Sequence, residues 1–365
     1  MRLCMVTLGR KGSGGLFSLE LAKKLQEKAE ISVIISQFSE HINLWHVSGI
    51  QHHAIPTYHN LFEAFTTFIY PQHINEIVRY IQEKQPQVLL FPIFHPWSPL
   101  MQWKLRKLPT VVTVHDPEPH PGDFEWILEN ASIKQADRCV ILSNSLKTTL
   151  MKRGVQEDRI DVIPHGPLFY PSRIHQLDRS IPNEEKANIL FFGRILPYKG
   201  LDILIEAFKM LRKTHQAQLN IVGEGDMELY ASLLNNLSDV RIVNRWIPDD
   251  EVGDWFEQAT VVVLPYTKAT QSGIVGIAAS YKLPVIATRT GGLPDQIQEE
   301  QTGLLVEPGS SQDLADAIIR ILDNPEFAAD LSASLQNQYI LKVNWENISS
   351  QYIETCQRAI SARIK

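Results

Sequence analysis

LPYTKATQSGIVGIAASYKLPVIATRTGG, residues Leu264–Gly292, predicts a strand, a glycine turn, a helix and a second strand that ends at another glycine turn. The β-branched run Val261–Leu264 stops at Pro265, and Val285–Ala287 is the next buried strand. The turn Thr270–Gly273 opens the helix, so free backbone N–H groups and the positive end of the helix dipole would favour an anion there. The alternative is an ordinary βαβ unit whose glycines only turn the chain.

Length and composition indicate a globular protein with two domains. The chain has 365 residues, of which 44% are hydrophobic and 21% charged, and a single core rarely grows to that size. No stretch approaches the roughly 18 consecutive apolar residues of a membrane span, and Met1–Leu8 lacks the features of a signal peptide. Three cysteines without C-x-x-C spacing (Cys4, Cys139 and Cys356) predict a cytoplasmic protein with neither a disulfide framework nor a zinc site.

The charge of the chain is unevenly distributed. The net charge of -6 argues against nucleic-acid binding. The first 175 residues hold 18 Lys and Arg against 16 Asp and Glu, whereas the remaining 190 hold 17 against 25. Because the first half is slightly basic, contact with the inner face of a membrane stays open as an alternative. The aromatic and basic segment 95–109 would fit such a contact. The excess is small, however, and a packed surface helix is the favoured interpretation of that segment.

The first half alternates strands and helices. A glycine-rich turn, Gly9–Gly15, follows the first strand and resembles a phosphate-approach loop without matching G-x-G-x-x-G or a Walker motif. Segment 41–59 contains five histidines, which we interpret as loop residues because their spacing does not suit a metal site. The buried strand Thr110–Val114 ends at His115 and Asp116, where side chains point into the functional crevice of a parallel sheet.

The second half repeats the alternation from Ile189 onward. We therefore predict an α/β protein with two Rossmann-like, doubly wound domains facing a cleft. Residues 1–175 would form the first domain and residues 176–343 the second, with residues 171–187 as a linker. The amphipathic helix predicted over residues 344–365 has no following strand.

Two cations lie on the loop after the first strand of the second half. Arg194 and Lys199 stand between Gly193 and Gly200, close to a predicted helix N-terminus. A helix N-terminus normally favours acidic side chains, so the two cations there indicate a bound phosphate. The planar, forked guanidinium of Arg194 and the point charge of Lys199 are both suited to phosphate oxygens. The alternative is two solvated surface cations.

Several motifs together resemble those of a known family. These motifs are the Gly14-Gly15 turn, VTVHD at 112–116, SNSLK at 143–147, VIPHG at 162–166, FGRILPYKG at 192–200, VGEGD at 222–226 and KLPVIATRTGG at 282–292. In this order and at these spacings, the chain looks like a retaining family 4 glycosyltransferase of GT-B fold over nearly its whole length.

The resemblance implies a nucleotide-sugar donor, UDP- or GDP-linked, as substrate and no cofactor or metal. Arg194 and Lys199 would hold the diphosphate, and His115 would lie beside the transferred sugar. Backbone N–H groups of the glycine turn would face the distal phosphate, and Ile247 would flank the base. The remaining residues that the resemblance places at the donor are Gly14, Gly15, Gly193, Glu224, Gln271, Ser272, Gly273 and Ile274. Asp116 and His120 would face the acceptor, which is a glycan, a lipid or a small molecule. The resemblance also implies that the helix 344–365 packs back on the first domain.

The implied reaction is transfer of a hexose with retention, the leaving phosphate oxygen acting as base. In one respect the chain departs from the family. Ala269 and Ile277 stand where most members have two glutamates that contact the donor, a loss shared by a lineage with a QSG loop. Gln271 or Ser272 would then take over part of the polar contact. The departure leaves two alternatives open: a non-catalytic GT-B nucleotide-binding subunit, and a sugar-nucleotide epimerase or phosphorylase on the same fold.

Overall fold

The computed structural model describes residues 1–58, 72–116, 125–172 and 186–364, and the chain divides into two compact units. Unit 1 comprises Met1–Gly166 and Asn344–Lys365, and unit 2 comprises Pro167–Val343. The first unit thus ends at Gly166, ahead of the boundary at residue 175 that we expected from the sequence. Most of the predicted linker, 173–185, lies outside the described residues.

Unit 1 is built on a parallel sheet of seven described strands in the order β3-β2-β1-β4-β5-β6-β7. The strands are β1 (Arg2–Thr7), β2 (Glu30–Ser36), β3 (His52–Ile55), β4 (Val88–Phe91), β5 (Thr110–Val114), β6 (Arg138–Ile141) and β7 (Ile160–Val162). The order reverses between β1 and β4, whose registers pair Leu3 with Val88. In open parallel sheets, ligands bind beyond the carboxyl ends of the strands at this reversal.

The helices of unit 1 cover this sheet with apolar faces. They are α1 (Gly14–Leu25), α2 (Ile42–Val47), α3 (Gln72–Lys84), α4 (Ser98–Lys104), α5 (Glu125–Gln135) and α6 (Lys147–Lys152). In α3 the buried residues are Ile74, Ile77 and Ile81, a spacing that places them on one face of a helix. They join the strand residues Leu89 and Val112 in the core.

Unit 2 repeats the topology with six described strands in the order β10-β9-β8-β11-β12-β13. The strands are β8 (Ala187–Phe192), β9 (Ala217–Val222), β10 (Val240–Val243), β11 (Val261–Leu264), β12 (Val285–Thr288) and β13 (Leu304–Val306). All neighbours in this sheet are parallel. Here the reversal falls between β8 and β11, where Val261 pairs with Ile189.

The helices of unit 2 are α7 (Leu201–Leu211), α8 (Ala231–Leu234), α9 (Asp249–Glu257), α10 (Gly273–Ser280), α11 (Leu293–Gln296), α12 (Ser311–Asp323) and α13 (Pro325–Leu341). The Ser310 side chain caps α12 by accepting a hydrogen bond from the Asp313 amide at 3.1 Å, which satisfies one of the free donors of the first turn. The buried face of α12 includes Leu314, Ile318 and Ile321. These residues pack with Leu204 and Phe208 of α7 in the core of the unit.

The last helix, α14 (Trp345–Ile364), packs on the unit 1 sheet. The Tyr352 hydroxyl lies 2.9 Å from the Thr113 hydroxyl of β5. The Arg358 guanidinium donates to Asp161 at 2.6 Å, and Arg363 donates to Asp137 at 2.6 Å. Buried polar contacts and ion pairs therefore hold the end of the chain to unit 1.

Some elements differ from the sequence-based prediction. The histidine-rich segment interpreted as a loop contains helix α2 and the edge strand β3, so His46 is helical and His52 and His53 lie in a strand. The Nδ1 of His46 and the Nε2 of His52 are 3.1 Å apart. Helix α13, which starts at Pro325, was also not predicted. In the part of the chain that the structure describes, no helix is both long and apolar enough to cross a membrane.

Candidate active site

The loops after β8 and β11 lie side by side at the strand-order reversal of unit 2. The Thr267 amide donates to the Tyr198 carbonyl at 2.8 Å. Gly200 has φ +66°, and a Cβ there would lie 1.9 Å from the Pro265 carbonyl oxygen. Only glycine allows this approach, so the sequence places the cation-bearing loop directly against the loop that leads into α10.

Both predicted cations lie on the first of these loops. The Lys199 ammonium is 3.7 Å from the centroid of the Tyr266 ring and 5.6 Å from that of Tyr198. Arg194 is exposed. Among the described residues, neither cation makes an ion pair with a carboxylate at 4.0 Å or less. Their charges are thus available to an anionic ligand.

The glycine turn of the opening stretch has one amide engaged and two open ones. The Ser272 amide, expected to face a phosphate, donates to the Gln296 side-chain oxygen at 2.8 Å, and the Gln296 side-chain amide donates to the Ser272 carbonyl at 3.0 Å. A phosphate would have to compete with Gln296 for that donor. The amides of Gly273 and Ile274, in the first turn of α10, have no acceptor among the described residues, so they remain available as donors to an anion.

Gln271 brings a further polar group to the same turn. Its side-chain oxygen is buried and has no hydrogen-bond partner among the described residues. A buried acceptor without a donor is unfavourable by about 1–3 kcal/mol. A hydroxyl of a bound ligand would satisfy this oxygen.

The turn after β9 packs backbone to backbone on the cation loop. Gly223 has φ +145°, and a Cβ there would lie 2.0 Å from the Gly193 carbonyl oxygen. The Ile195 amide donates to the Glu224 carbonyl at 2.8 Å, while the Glu224 side chain is exposed. Gly193 and Glu224 are therefore brought to the same edge of the sheet as Arg194.

The two positions that lack the expected acids differ in their surroundings. Ile277 is buried in α10, 5% exposed, so an apolar side chain suits it. Ala269 lies under the second glycine turn, where a Cβ on Gly291 would lie 1.4 Å from the Ala269 carbonyl oxygen. After β10, Ile247 is buried and its neighbour Trp246 is 41% exposed.

In unit 1, His115 follows β5 and is held by one ring nitrogen. Its Nε2 lies 2.8 Å from the Pro92 carbonyl oxygen, and a carbonyl only accepts, so Nε2 carries the proton. Burial lowers the pKa of His115 below its usual value, against smaller opposing effects of that hydrogen bond and of Asp116. The neutral ring thus presents Nδ1 as an acceptor.

Aromatic rings surround His115. The Phe17 ring contacts it edge-on with centroids 5.1 Å apart, and Phe17 also contacts His165 at 4.9 Å and Trp345 at 5.4 Å. Burial, with a smaller contribution from the neighbouring His115, lowers the pKa of His165 to about 4. The His165 Nδ1 donates to the Gly166 carbonyl at 2.6 Å. The cluster holds two neutral imidazoles in fixed orientations.

The remaining predicted residues of unit 1 lie at the same carboxyl edge of its sheet or outside the described chain. Gly14 and Gly15 are the first residues of α1 rather than part of the preceding turn. A Cβ on Gly15 would lie 2.4 Å from the His41 Nδ1, so this approach also requires glycine. Asp116 follows His115 and is half-buried. His120 lies outside the described residues.

Sequence reasoning missed Tyr266 and Gln296. Tyr266 is 1% exposed and faces Lys199, and Gln296 binds both backbone groups of Ser272. A tyrosine after a buried strand and a glutamine after a glycine pair carry no local signal, because their partners are distant in sequence.

Two family models match the chain. One described as "Glycosyltransferase Family 4" matches residues 15–166, and one described as "Glycosyl transferases group 1" matches residues 186–324. An uncharacterized glycosyltransferase of Methanocaldococcus jannaschii is 27% identical over 247 residues, which cover 64% of this chain and 63% of that protein. A D-inositol 3-phosphate glycosyltransferase of Pseudarthrobacter chlorophenolicus is 28% identical over 281 residues, which cover 71% of this chain and 64% of that protein. The chain therefore matches less than two thirds of the length of either relative.

Solved structures share the fold along nearly the whole chain. Anabaena HepE in complex with UDP-glucose superposes with a TM-score of 0.78 at 18% identity, covering 98% of this chain and 99% of that one. The sucrose-phosphate synthase of Thermosynechococcus elongatus gives a TM-score of 0.75 at 19% identity, covering 99% and 100%. The predicted fold class, two parallel-sheet Rossmann-like domains of the GT-B type, is confirmed.

Proposed function

Since the chain carries the two domains of a GT-B glycosyltransferase, we propose that it transfers a hexose from a nucleoside-diphosphate sugar to an acceptor hydroxyl, with retention of the anomeric configuration. One observation carries the proposal. The loop with Arg194 and Lys199 packs on the loop that opens α10, through the Thr267 amide and the Tyr198 carbonyl at 2.8 Å. Two cations and the amides of a helix N-terminus thus share one edge of the unit 2 sheet.

Unit 2 binds the diphosphate in this proposal. Arg194 offers a planar fork and Lys199 a point charge, and both bind phosphate oxygens by charge-assisted hydrogen bonds. Gly273 and Ile274 donate their amides to the distal phosphate. Ile247 flanks the base, which is uracil or guanine. The Anabaena protein HepE, which has the same fold, is described in complexes with UDP and UDP-glucose.

The chemistry follows from where negative charge develops. As the bond from the anomeric carbon to the diphosphate breaks, charge accumulates on the leaving phosphate, where Arg194, Lys199 and the α10 amides stabilise it. The departing phosphate oxygen takes the proton of the acceptor hydroxyl, which attacks from the same face, so the configuration is retained. His115 binds a hexose hydroxyl through its Nδ1 and orients the sugar.

Gln271 replaces part of the missing acidic contact. Ala269 and Ile277 have no group that can hydrogen-bond a donor hydroxyl, whereas the buried Gln271 oxygen has an unused acceptor position. A donor hydroxyl would fill it. Asp116 and His120 are proposed to face the acceptor, a glycan, lipid or small molecule.

Slow donor hydrolysis tests the proposal without knowledge of the acceptor. The protein is incubated with UDP-glucose, UDP-galactose and GDP-mannose, and release of UDP or GDP is followed. We expect release from one donor, abolished by Lys199→Ala and unchanged by Lys213→Ala, an exposed lysine beyond the far end of α7. The anomer of the released hexose, read by NMR before mutarotation, reports retention.

A second candidate, a nucleotide-binding subunit without catalysis, is favoured by Ala269 and Ile277 alone. It predicts tight binding of UDP or GDP with no donor cleaved. That result would exclude the proposed transferase activity but would still support the diphosphate site.

A further inference from the structure

Tyr266 lies near the start of the loop after β11, one of the two loops that form the proposed diphosphate site. It follows Pro265 at the end of β11 and is 1% exposed. Full burial of a tyrosine usually requires a partner for the hydroxyl and close packing for the ring. Both are present here, and each involves a different half of the site.

The ring of Tyr266 holds Lys199. The ammonium nitrogen is 3.7 Å from the ring centroid, well within the roughly 6 Å over which a cation is attracted to an aromatic face. The second ring nearby, that of Tyr198, is 5.6 Å away. Tyr266 is thus the closer aromatic contact of this cation.

An aromatic ring holds an ammonium group differently from the way a carboxylate does. An ion pair would use N–H donors of Lys199 and neutralise its charge, and among the described residues no carboxylate makes one. The aromatic face attracts the cation through its quadrupole. The N–H groups directed away from the ring therefore remain for an anionic ligand.

The hydroxyl of Tyr266 contacts the glycine turn. It lies 3.4 Å from the Ser272 hydroxyl, the long end of hydrogen-bond range. Ser272 is the residue that Gln296 holds at both backbone groups, and it immediately precedes Gly273. One side chain thus joins the cation to the turn that carries the α10 amides.

We propose that Tyr266 is a positioning residue for Lys199, holding the ammonium on its ring so that its N–H groups face the diphosphate. The inference rests on the proposed function, because it concerns the same site. The ring carries most of the effect, since the hydroxyl contact is long. Replacement by a side chain of similar volume without an aromatic face should therefore impair diphosphate binding, and Tyr266→Phe should restore it.

The test measures binding of UDP, GDP, uridine and guanosine by calorimetry. For Tyr266→Met we expect the preferred diphosphate to bind about tenfold more weakly, with less than about twofold change for its nucleoside. Tyr266→Phe should stay within about threefold of wild type for both. Tyr281→Met, which removes a tyrosine ring at the C-terminal end of α10, away from its first turn, serves as matched control and should also stay within about threefold.

A double-mutant cycle separates positioning from general packing. If Tyr266 acts through Lys199, adding Tyr266→Met to Lys199→Ala should weaken diphosphate binding by less than about twofold more. Independent effects that multiply, or an equal loss for diphosphate and nucleoside, would overturn the inference.

Two further outcomes are decisive. If Tyr266→Met does not fold, the Phe variant still tests the claim, because a tenfold loss there would contradict a role of the ring. Wild-type protein that binds no diphosphate would reject the proposed function itself, whereas tight wild-type binding with an unaffected Tyr266→Met rejects only the role of Tyr266.

Discussion

His115 shows how much a single backbone contact can determine. The Pro92 carbonyl accepts a hydrogen bond from the Nε2–H of His115 at 2.8 Å, and burial lowers the pKa of the ring. The result is a neutral imidazole whose Nδ1 accepts. This role suits binding of a sugar hydroxyl better than proton donation to a leaving group.

We predict that His115→Phe lowers turnover by about tenfold, the worth of one hydrogen bond, with little change in UDP affinity. The phenyl ring keeps the edge contact with Phe17 and removes the acceptor. Steady-state kinetics and calorimetry measure the two quantities. His46→Phe, an exposed residue of unit 1, is the control. Unchanged turnover in His115→Phe would remove this residue from the site.

Gln296 binds both backbone groups of Ser272 with one side chain. We predict that Gln296→Leu lowers the free energy of unfolding by about 2 kcal/mol, because two part-buried backbone groups lose their partner. Urea denaturation measures the loss. Gln298→Leu, an exposed glutamine two residues on, should change it by less than about 0.5 kcal/mol. Equal effects of the two substitutions would show that the contact does not stabilise the turn.

At the residue scale, sequence supports a prediction where the residue type itself suggests chemistry. Arg194 and Lys199 on a glycine-bounded loop indicate an anion site, which stays a prediction, and the structure places that loop against the loop that leads into α10. The engagement of the Ser272 amide could not be foreseen. It depends on Gln296, 24 residues further along the chain, and on a side-chain rotamer set by tertiary packing.

At the scale of elements, the turns after β8 and β9 fit only as a pair. Gly223 has φ +145° and its Cα faces the Gly193 carbonyl oxygen. A side chain there meets both an unfavourable backbone conformation and a rigid backbone atom.

We predict that Gly223→Ala lowers the free energy of unfolding by about 3 kcal/mol or more, and weakens UDP binding by displacing the cation loop. Gly309→Ala is the matched control, because Gly309 has φ +85° with nothing within 4 Å of the added Cβ. It should cost about 1 kcal/mol and leave binding unchanged. Thermal and urea denaturation measure the stability of the two variants. Similar losses of stability would mean that the close approach of Gly223 to Gly193 is not required.

The strands of both sheets were predictable where apolar runs are buried on both faces, as in Val261–Leu264 and Thr110–Val114. Strand β3 was missed because an edge strand has one neighbour, and His52 and His53 do not show the apolar pattern of a buried strand. Helix α13 was missed because Pro325 ended the prediction at Asn324, whereas proline is well accommodated in the first turn of a new helix.

At the scale of the whole molecule, unit 1 contains buried histidines that stay neutral. Burial lowers the pKa of His95 to about 3 and that of His165 to about 4. In the unfolded chain both titrate near 6.5. Between these values the unfolded state binds more protons than the folded state, so stability falls as the pH falls.

We predict that the free energy of unfolding of wild-type protein drops between pH 6.5 and pH 4.5, by up to about 1.4 kcal/mol per pH unit for each histidine. His95→Gln should make the decline shallower by one such contribution, whatever its effect at pH 7. Urea denaturation across this range measures the slope. Equal slopes of unfolding free energy against pH for wild type and variant would show that burial does not keep His95 neutral.

The central claim is that unit 2 recognises a nucleoside diphosphate through the paired loops after β8 and β11. The most direct test is a calorimetric titration of wild type, Arg194→Ala and Lys199→Ala with UDP, GDP and their nucleosides. Each substitution removes a charge-assisted contact worth about 1.5–3 kcal/mol. We therefore predict a loss of about 10- to 150-fold for the preferred diphosphate and an almost unchanged nucleoside affinity. Equal losses for diphosphate and nucleoside, or no loss for either, would contradict the account.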